Sequence, residues 1–178
     1  MATLPLNTFN TSITARVLNL LRTNFKTTFT TYYDGDPWAI PTANLPALIV
    51  EKQSGTTTAE ATGLDHTTHK IQIKIAIDKR QDFMTANNTK TTHQLLQQYY
   101  DGRDPVTLEY SPVSLLGILR TNYTINQTDK DQDTFGVRLT RQEISCDFAT
   151  SVRPNDIMTA ELIVTLDLEE NVLVPVRT

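Results

Sequence analysis

Residues 64–80 read LDHTTHKIQIKIAIDKR. Ile71, Ile73, Ile75 and Ile77 alternate with Gln72, Lys74, Ala76 and Asp78. That period of two predicts a β-strand with one buried face. His66 and His69 stand at its mouth beside Asp65, which raises a competing reading, a metal site. Ligands three apart share a face on a helix but point to opposite faces of a strand. His93 is the only other histidine, and no Cys or acidic pair follows at a metal spacing. The expectation is a strand starting near Thr68, with His69 on the isoleucine face or at its end, His66 in the preceding turn, and no metal on either.

Working outward, Leu162, Val164, Leu166 and Leu168 alternate with Glu161, Thr165, Asp167 and Glu169, a second half-buried strand. Arg153-Pro154-Asn155-Asp156 predicts the turn that joins it, as an antiparallel hairpin, to the strand before. In that earlier strand Phe135, Val137 and Leu139 share one parity and Ile144, Cys146 and Phe148 the other. One face cannot take both sets. A β-bulge near Arg141-Gln142, or a bend between sheets, would repair the register. Upstream, LPALIVE (45–51) reads as a strand buried on both faces, and QSGTTTAEATG (53–63), with no apolar period, as a solvent-facing loop. Residues 31–41, TYYDGDPWAIP, carry the turn signals Asp34-Gly35 and Asp36-Pro37 and read as a loop. Trp38 inside it either folds back on the core or meets a partner, since Trp is enriched at interface hot spots.

Three helices complete the pattern. Thr11 and Ser12 can cap a helix whose Ile13, Val17, Leu20, Leu21 and Phe25 fall on one face. Thr91 and Thr92 can cap a short helix with Leu95, Leu96, Tyr99 and Tyr100, stopped at Asp101-Gly102 with Gly in the left-handed region. Ser111-Pro112 reads as the start of a third, bearing Val113, Leu115, Leu116, Ile118 and Leu119. Residues 1–10 read as an extended arm. The fold expected is α+β: a mainly antiparallel four-stranded sheet with an N-terminal amphipathic helix and two short helices packed on it. It forms one domain over 1–178, with a core from 11 onward.

Thirty of the 178 residues are Thr, which favours strands and extended segments. The net charge of −4 and a pI near 5.3, without a basic cluster, argue against binding along a nucleic-acid backbone. No sequence-specific nucleic-acid partner is expected. No apolar run approaches a membrane span and the N-terminus lacks a charged leader, so neither a signal peptide nor a membrane partner is expected. The single cysteine, Cys146, excludes an internal disulfide and is expected as a buried core thiol.

Chemistry is thinly signalled. Asp129, Asp131 and Asp133 alternate like the start of a calcium loop, but Thr134 and Thr140 stand where an EF-hand needs Gly and Glu. They are the only candidate cation ligands, and the bland reading is a solvated acidic loop. No nucleophile elbow or phosphate-binding glycine loop occurs, so neither an enzyme nor a cofactor is expected.

The element order, length and texture resemble the tail terminator (tail completion) proteins of tailed bacteriophages. The residues that carry this are the helix from Ser12, LPALIVE, the 53–63 connection, HKIQIKIAID, the helices around Leu95 and Leu116, and the closing pair GVRLTRQEISCDF and AELIVTLDLEE. The resemblance covers most of the chain without a diagnostic motif. It implies a structural virion protein, made in the host cytoplasm, that closes as a hexameric ring on the tail tube. Such a ring ends tube polymerisation and meets a neck or head-connector protein. Another neck or head-completion connector, and a calcium-dependent enzyme or binding module, are the alternatives. For a ring, contacts are expected from at least two of three segments: the arm 1–10, the loop 31–44 with Asp34, Asp36 and Trp38, and the connection 53–63 with Thr57.

Overall fold

The structure, a computed structural model, describes residues 12–61, 63–80, 82, 90–122, 125, 137–139 and 144–174. The elements are helix α1 (Ile13–Phe25), strands β1 (Thr31–Asp34), β2 (Ala47–Ala61) and β3 (Leu64–Asp78), helices α2 (Thr92–Asp101) and α3 (Leu115–Thr121), and strands β4 (Val137–Leu139), β5 (Ser145–Val152) and β6 (Met158–Leu173). The α+β class holds. The sheet differs from the expected four antiparallel strands: it has six, in the order β1-β2-β3-β6-β4, with β5 also paired to β6. Because β1 runs parallel to β2, the sheet is mixed.

The isoleucine period decides the architecture as expected. Ile71, Ile73 and Ile75 are fully buried and Ile77 nearly so. In β6, Leu162, Val164, Leu166 and Leu168 lie on the same face and are equally buried. Onto this face pack Val17, Leu20, Leu21 and Phe25 of α1, Leu96 of α2, and Leu115, Ile118 and Leu119 of α3. A smaller cluster covers the base of the opposite face, where Ile40 and Leu45 from the β1–β2 connection meet Ala47, Ile49, Ala76 and Ile157. Clusters on both faces bury Ala47–Val50 from two sides, as the LPALIVE run predicts.

Helix ends follow local hydrogen bonding. Ser12 caps α1, its side chain accepting from Ala15 N at 3.2 Å. Thr91 caps α2 in a reciprocal box with Gln94, satisfying two otherwise orphan donors. Gly102 ends α2 with φ −48°, not in the left-handed region expected. Glycine is needed there for space: a Cβ would sit 2.4 Å from Gln98 O. The third helix also begins later than Ser111-Pro112 suggests. Ser111 opens a turn, Ser114 is the cap, its Oγ accepting from Gly117 N, and Val113 stays exposed.

The largest departure is the segment 53–63. Most of it is strand, not loop: β2 continues to Ala61 and pairs with β3 as far as Leu64. β6 pairs β3 along the same stretch to Leu173, so three strands project as a tongue. Residues 52–60 are exposed on both faces, which leaves no apolar alternation for a periodicity reading to find. The β-branched Thr56–Thr58 were the remaining signal. β3 likewise starts at Leu64, so His66 lies within the strand and not in a turn.

Residues 31–34, expected as loop, form β1, and the turn signal at Asp34-Gly35 marks its end. The parity conflict in 135–148 resolves as two strands. Val137 pairs with Glu170 and Ser145 with Thr165, so eight steps along the chain match five along β6. Three extra residues, an odd number, move the core-side parity from Val137 and Leu139 to that of Ile144 and Cys146, which pack half-buried against the core, while Phe148, of the same parity, stays exposed. Residues 141–142, where a bulge is expected, lie outside the described residues, as do the arm 1–10 and Thr11. The Arg153–Asp156 turn and the β5–β6 hairpin are as expected.

Candidate functional site

The β1–β2 connection carries Trp38, which is 82% exposed. Its alternative place on the core is thereby excluded. Beneath it lies an ionic network that sequence reading missed. Arg153, buried, donates from Nη2 and Nε to Glu161 Oε1 at 2.8 and 3.2 Å. Its Nη1 donates to Asp36 Oδ1 at 2.8 Å and to Pro37 O at 3.0 Å. Lys74 Nζ reaches the other Asp36 oxygen at 2.6 Å and Glu51 at 3.6 Å. Thr159 Oγ1 adds a bond to Glu161 at 2.8 Å. Asn155 Nδ2 donates to Ile40 O, and Arg80 Nη2 to Thr42 Oγ1.

The two residues that precede Trp38, Asp36 and Pro37, are therefore both tied to this network. Partial burial pushes the Asp36 carboxyl up, but hydrogen bonds from Lys74 and Arg153, with their charges, outweigh it and hold Asp36 below the usual carboxylate range. Asp36 thus anchors the loop, a different role from the direct contact expected of it. Asp34 is exposed at the end of β1. Thr57 sits on the tongue, its hydroxyl 3.0 Å from that of Thr67.

A second apolar projection, also missed, follows α2. Asp104 Oδ1 accepts from Val106 N and Thr107 N at 2.8 and 2.9 Å. These bonds, Thr107's first, lower the Asp104 carboxyl's pKa. The turn holds Leu108 at φ 62° and leaves Val106 88% and Leu108 69% exposed. Asp104-Pro105 was its only local signal.

The histidines separate as strand geometry requires. His69 is buried on the isoleucine face, its Nε2 3.0 Å from Glu170 Oε2, while Arg16 Nη1 donates to Glu170 Oε1 at 3.2 Å. His66 turns to the other face, with Nδ1 2.9 Å from Asn171 Oδ1. No group of three or more His, Cys, Asp or Glu side chains suited to a metal occurs among the described residues. We expect purified protein to carry no stoichiometric zinc by elemental analysis. Zinc lost on combining His66→Ala with His69→Ala would overturn this.

Asp129, Asp131 and Asp133 lie outside the described residues. Cys146 is half-buried rather than buried, packed against the core beside Tyr100. An open groove of about 490 Å³ along α2 is lined by Lys90, Gln94, Gln97, Gln98 and Asp101. It brings together no nucleophile and base. Among the described residues, no helix is long and apolar enough to cross a membrane.

No protein-family model matches the chain, and no curated protein matches it. One solved chain, known by a serial identifier rather than a descriptive name, aligns with 95% of this chain and 96% of its own length. Its identity is 12% and its TM-score 0.33, a likeness too low to bear on fold or function.

Proposed function

We propose that this chain is a structural virion protein that assembles as a closed ring on the end of a phage tail tube. There it stops tube growth and presents a surface to a neck or head-connector protein. The observation that carries an assembly role is Trp38, an exposed indole on a loop held by a half-buried ionic network. Aromatic anchors dominate interface energetics, and an anchor ordered before binding avoids the entropy of ordering it later. The tail assignment rests on the resemblance of element order and texture to tail terminators. A hexamer is the stoichiometry that resemblance implies, and a ring of any size needs a heterologous interface whose rotation closes.

Negative-stain images of the purified chain, alone and mixed with tail tubes, test the reading. Closed rings, and caps on tube ends, are expected; a monomer that leaves tube length and tube ends unchanged would sink it. Trp38→Ala should shift the melting temperature little, within the roughly 0.5 kcal/mol typical of surface changes. It should weaken ring or tube association at least tenfold, the order expected on losing a hot spot worth about 2 kcal/mol. Sedimentation of both proteins at matched concentrations gives the comparison.

A further inference from the structure

We propose that Trp38 of one copy seats in the cavity beside the end of α2 in the next copy, against Tyr99, Arg103 and Val113. The inference rests on the reading of Trp38 as an assembly anchor and names the surface that receives it.

The cavity holds about 150 Å³. Thr28 of the α1–β1 connection, Tyr99 in the last turn of α2, and Arg103 and Val113 from the turn that follows all line it. A space of about 150 Å³ takes one benzene-sized ring. Its walls are ordered before any partner arrives. The Phe29 ring holds that of Tyr99 at 5.2 Å. Ser111 N donates to Gly102 O at 2.7 Å and Asp104 N to Glu109 O at 2.9 Å, closing the turn. The Arg103 guanidinium stands 5.1 Å from the centre of the Tyr110 ring. Val113, at 54% exposure, offers apolar surface that an aromatic ring would cover.

The occupant follows from chemistry and charge. A guanidinium favours the face of Trp over that of Tyr or Phe. This chain has one Trp, exposed and on a loop already held in place. The surface around it is negative: Asp34, Asp36, Glu51 and Glu161 stand against Lys74 and Arg153, an excess of two carboxylates. Among the described residues, Arg103 is the one charged side chain that lines the cavity. Its neighbour Asp104 is taken up by the N–H groups of Val106 and Thr107. Charge therefore matches across the contact as size does.

Indole and cavity lie on opposite faces of the sheet. Asp36 is tied to Lys74, whose side chain leaves β3 on the face away from Ile73 and Ile75. Tyr99 packs on the isoleucine face, among the helices. Trp38, 82% exposed, does not fill the cavity of its own chain. A two-fold pair would have to join both faces at once, so the contact runs head to tail, the kind that closes rings.

Because Trp38 is the only tryptophan, its fluorescence reads the contact. One full-length chain carries Arg103→Glu with Val113→Glu, which keeps the indole and spoils the cavity. The other carries Trp38→Ala, which keeps the cavity and has no tryptophan emission. All three positions are exposed, so the melting temperatures should stay near the parent's. Arg103→Gln with Val113→Ser replaces the two glutamates if they lower it. Each chain alone should sediment as a monomer. Mixed, the two should pair one to one, with emission moving to the blue as the Trp38→Ala chain is added. A Trp38→Ala chain that also bears both glutamates should leave the emission where it was. No shift, the same shift with either added chain, a shift only when tail tubes are present, or either chain assembling alone like the parent would overturn the inference. Parent rings with no shift in the mixture would leave the ring reading standing and remove this one. Shifted one-to-one pairs, with a parent that grows as open chains, would do the reverse.

Discussion

Replacing Ile73 by Ala should lower the unfolding free energy by about 2–5 kcal/mol, the range for emptying a well-packed site. Ile73 is fully buried between Val50 and Val164, its partners in the two neighbouring strands. Helix side chains cover it from above. β3 lies at the centre of the sheet, so its neighbours cannot collapse into the cavity without disturbing two ladders. Ile75→Ala, opposite Leu48 and Leu162, should behave alike. Ile73→Val removes one methylene and should cost about 0.5–1.5 kcal/mol. Equilibrium urea unfolding of the three variants gives the order. An Ile73→Ala midpoint equal to the parent's would mean that the face is not the core.

The same isoleucines show why some of this fold can be read from sequence and some cannot. Periodicity reports a contrast between a buried and a solvated face. It marks β3 and β6, where one face meets helices, and α1, where the five positions expected on one face, Ile13, Val17, Leu20, Leu21 and Phe25, are all buried. It is silent on the tongue, where residues 52–60 are solvated on both faces. It is silent also on β1, four residues long at the sheet edge. The parity conflict around Val137 and Cys146 was legible as a conflict, and its solution by three extra residues needed the register of β6.

Trp38 could be singled out by residue type alone. Its exposure could not, because that depends on Arg153 and Glu161, more than a hundred residues away. A charged residue in a turn, Arg153, and one at an alternating strand position, Glu161, both read as solvent-facing, and only tertiary contact shows that the two are buried together. The ring itself rests on resemblance, which is why its tests measure assembly rather than fold.

Arg153→Ala should be at least as costly as the isoleucine change, about 3–5 kcal/mol, because it leaves Glu161 as an uncompensated buried charge. Glu161 is 5% exposed, and without Arg153 its carboxylate keeps only the Thr159 hydroxyl among the bonds described above. Arg153→Lys should fall between, since an ammonium cannot reproduce the fork that spans Glu161, Asp36 and Pro37. Replacing both partners, Arg153→Met with Glu161→Met, should recover much of the loss, as apolar pairs of similar volume often match buried ion pairs. The double variant should still assemble poorly, because Pro37 O and Asp36 lose their anchor and the Trp38 loop is no longer held.

Acid should act on the same network. Asp36 has its carboxyl held below the ordinary value by Lys74 and Arg153. Its contribution is therefore present above the unfolded-state pKa of about 4 and is lost as pH falls through the lower folded value. Asp36→Asn should accordingly be less stable than the parent at pH 7, with the gap narrowing below about pH 4. Urea midpoints of parent, Asp36→Asn and the double variant at pH 7 and pH 3 separate the two effects. A gap that persists unchanged in acid would mean that Asp36 stabilises the loop by shape and not by charge.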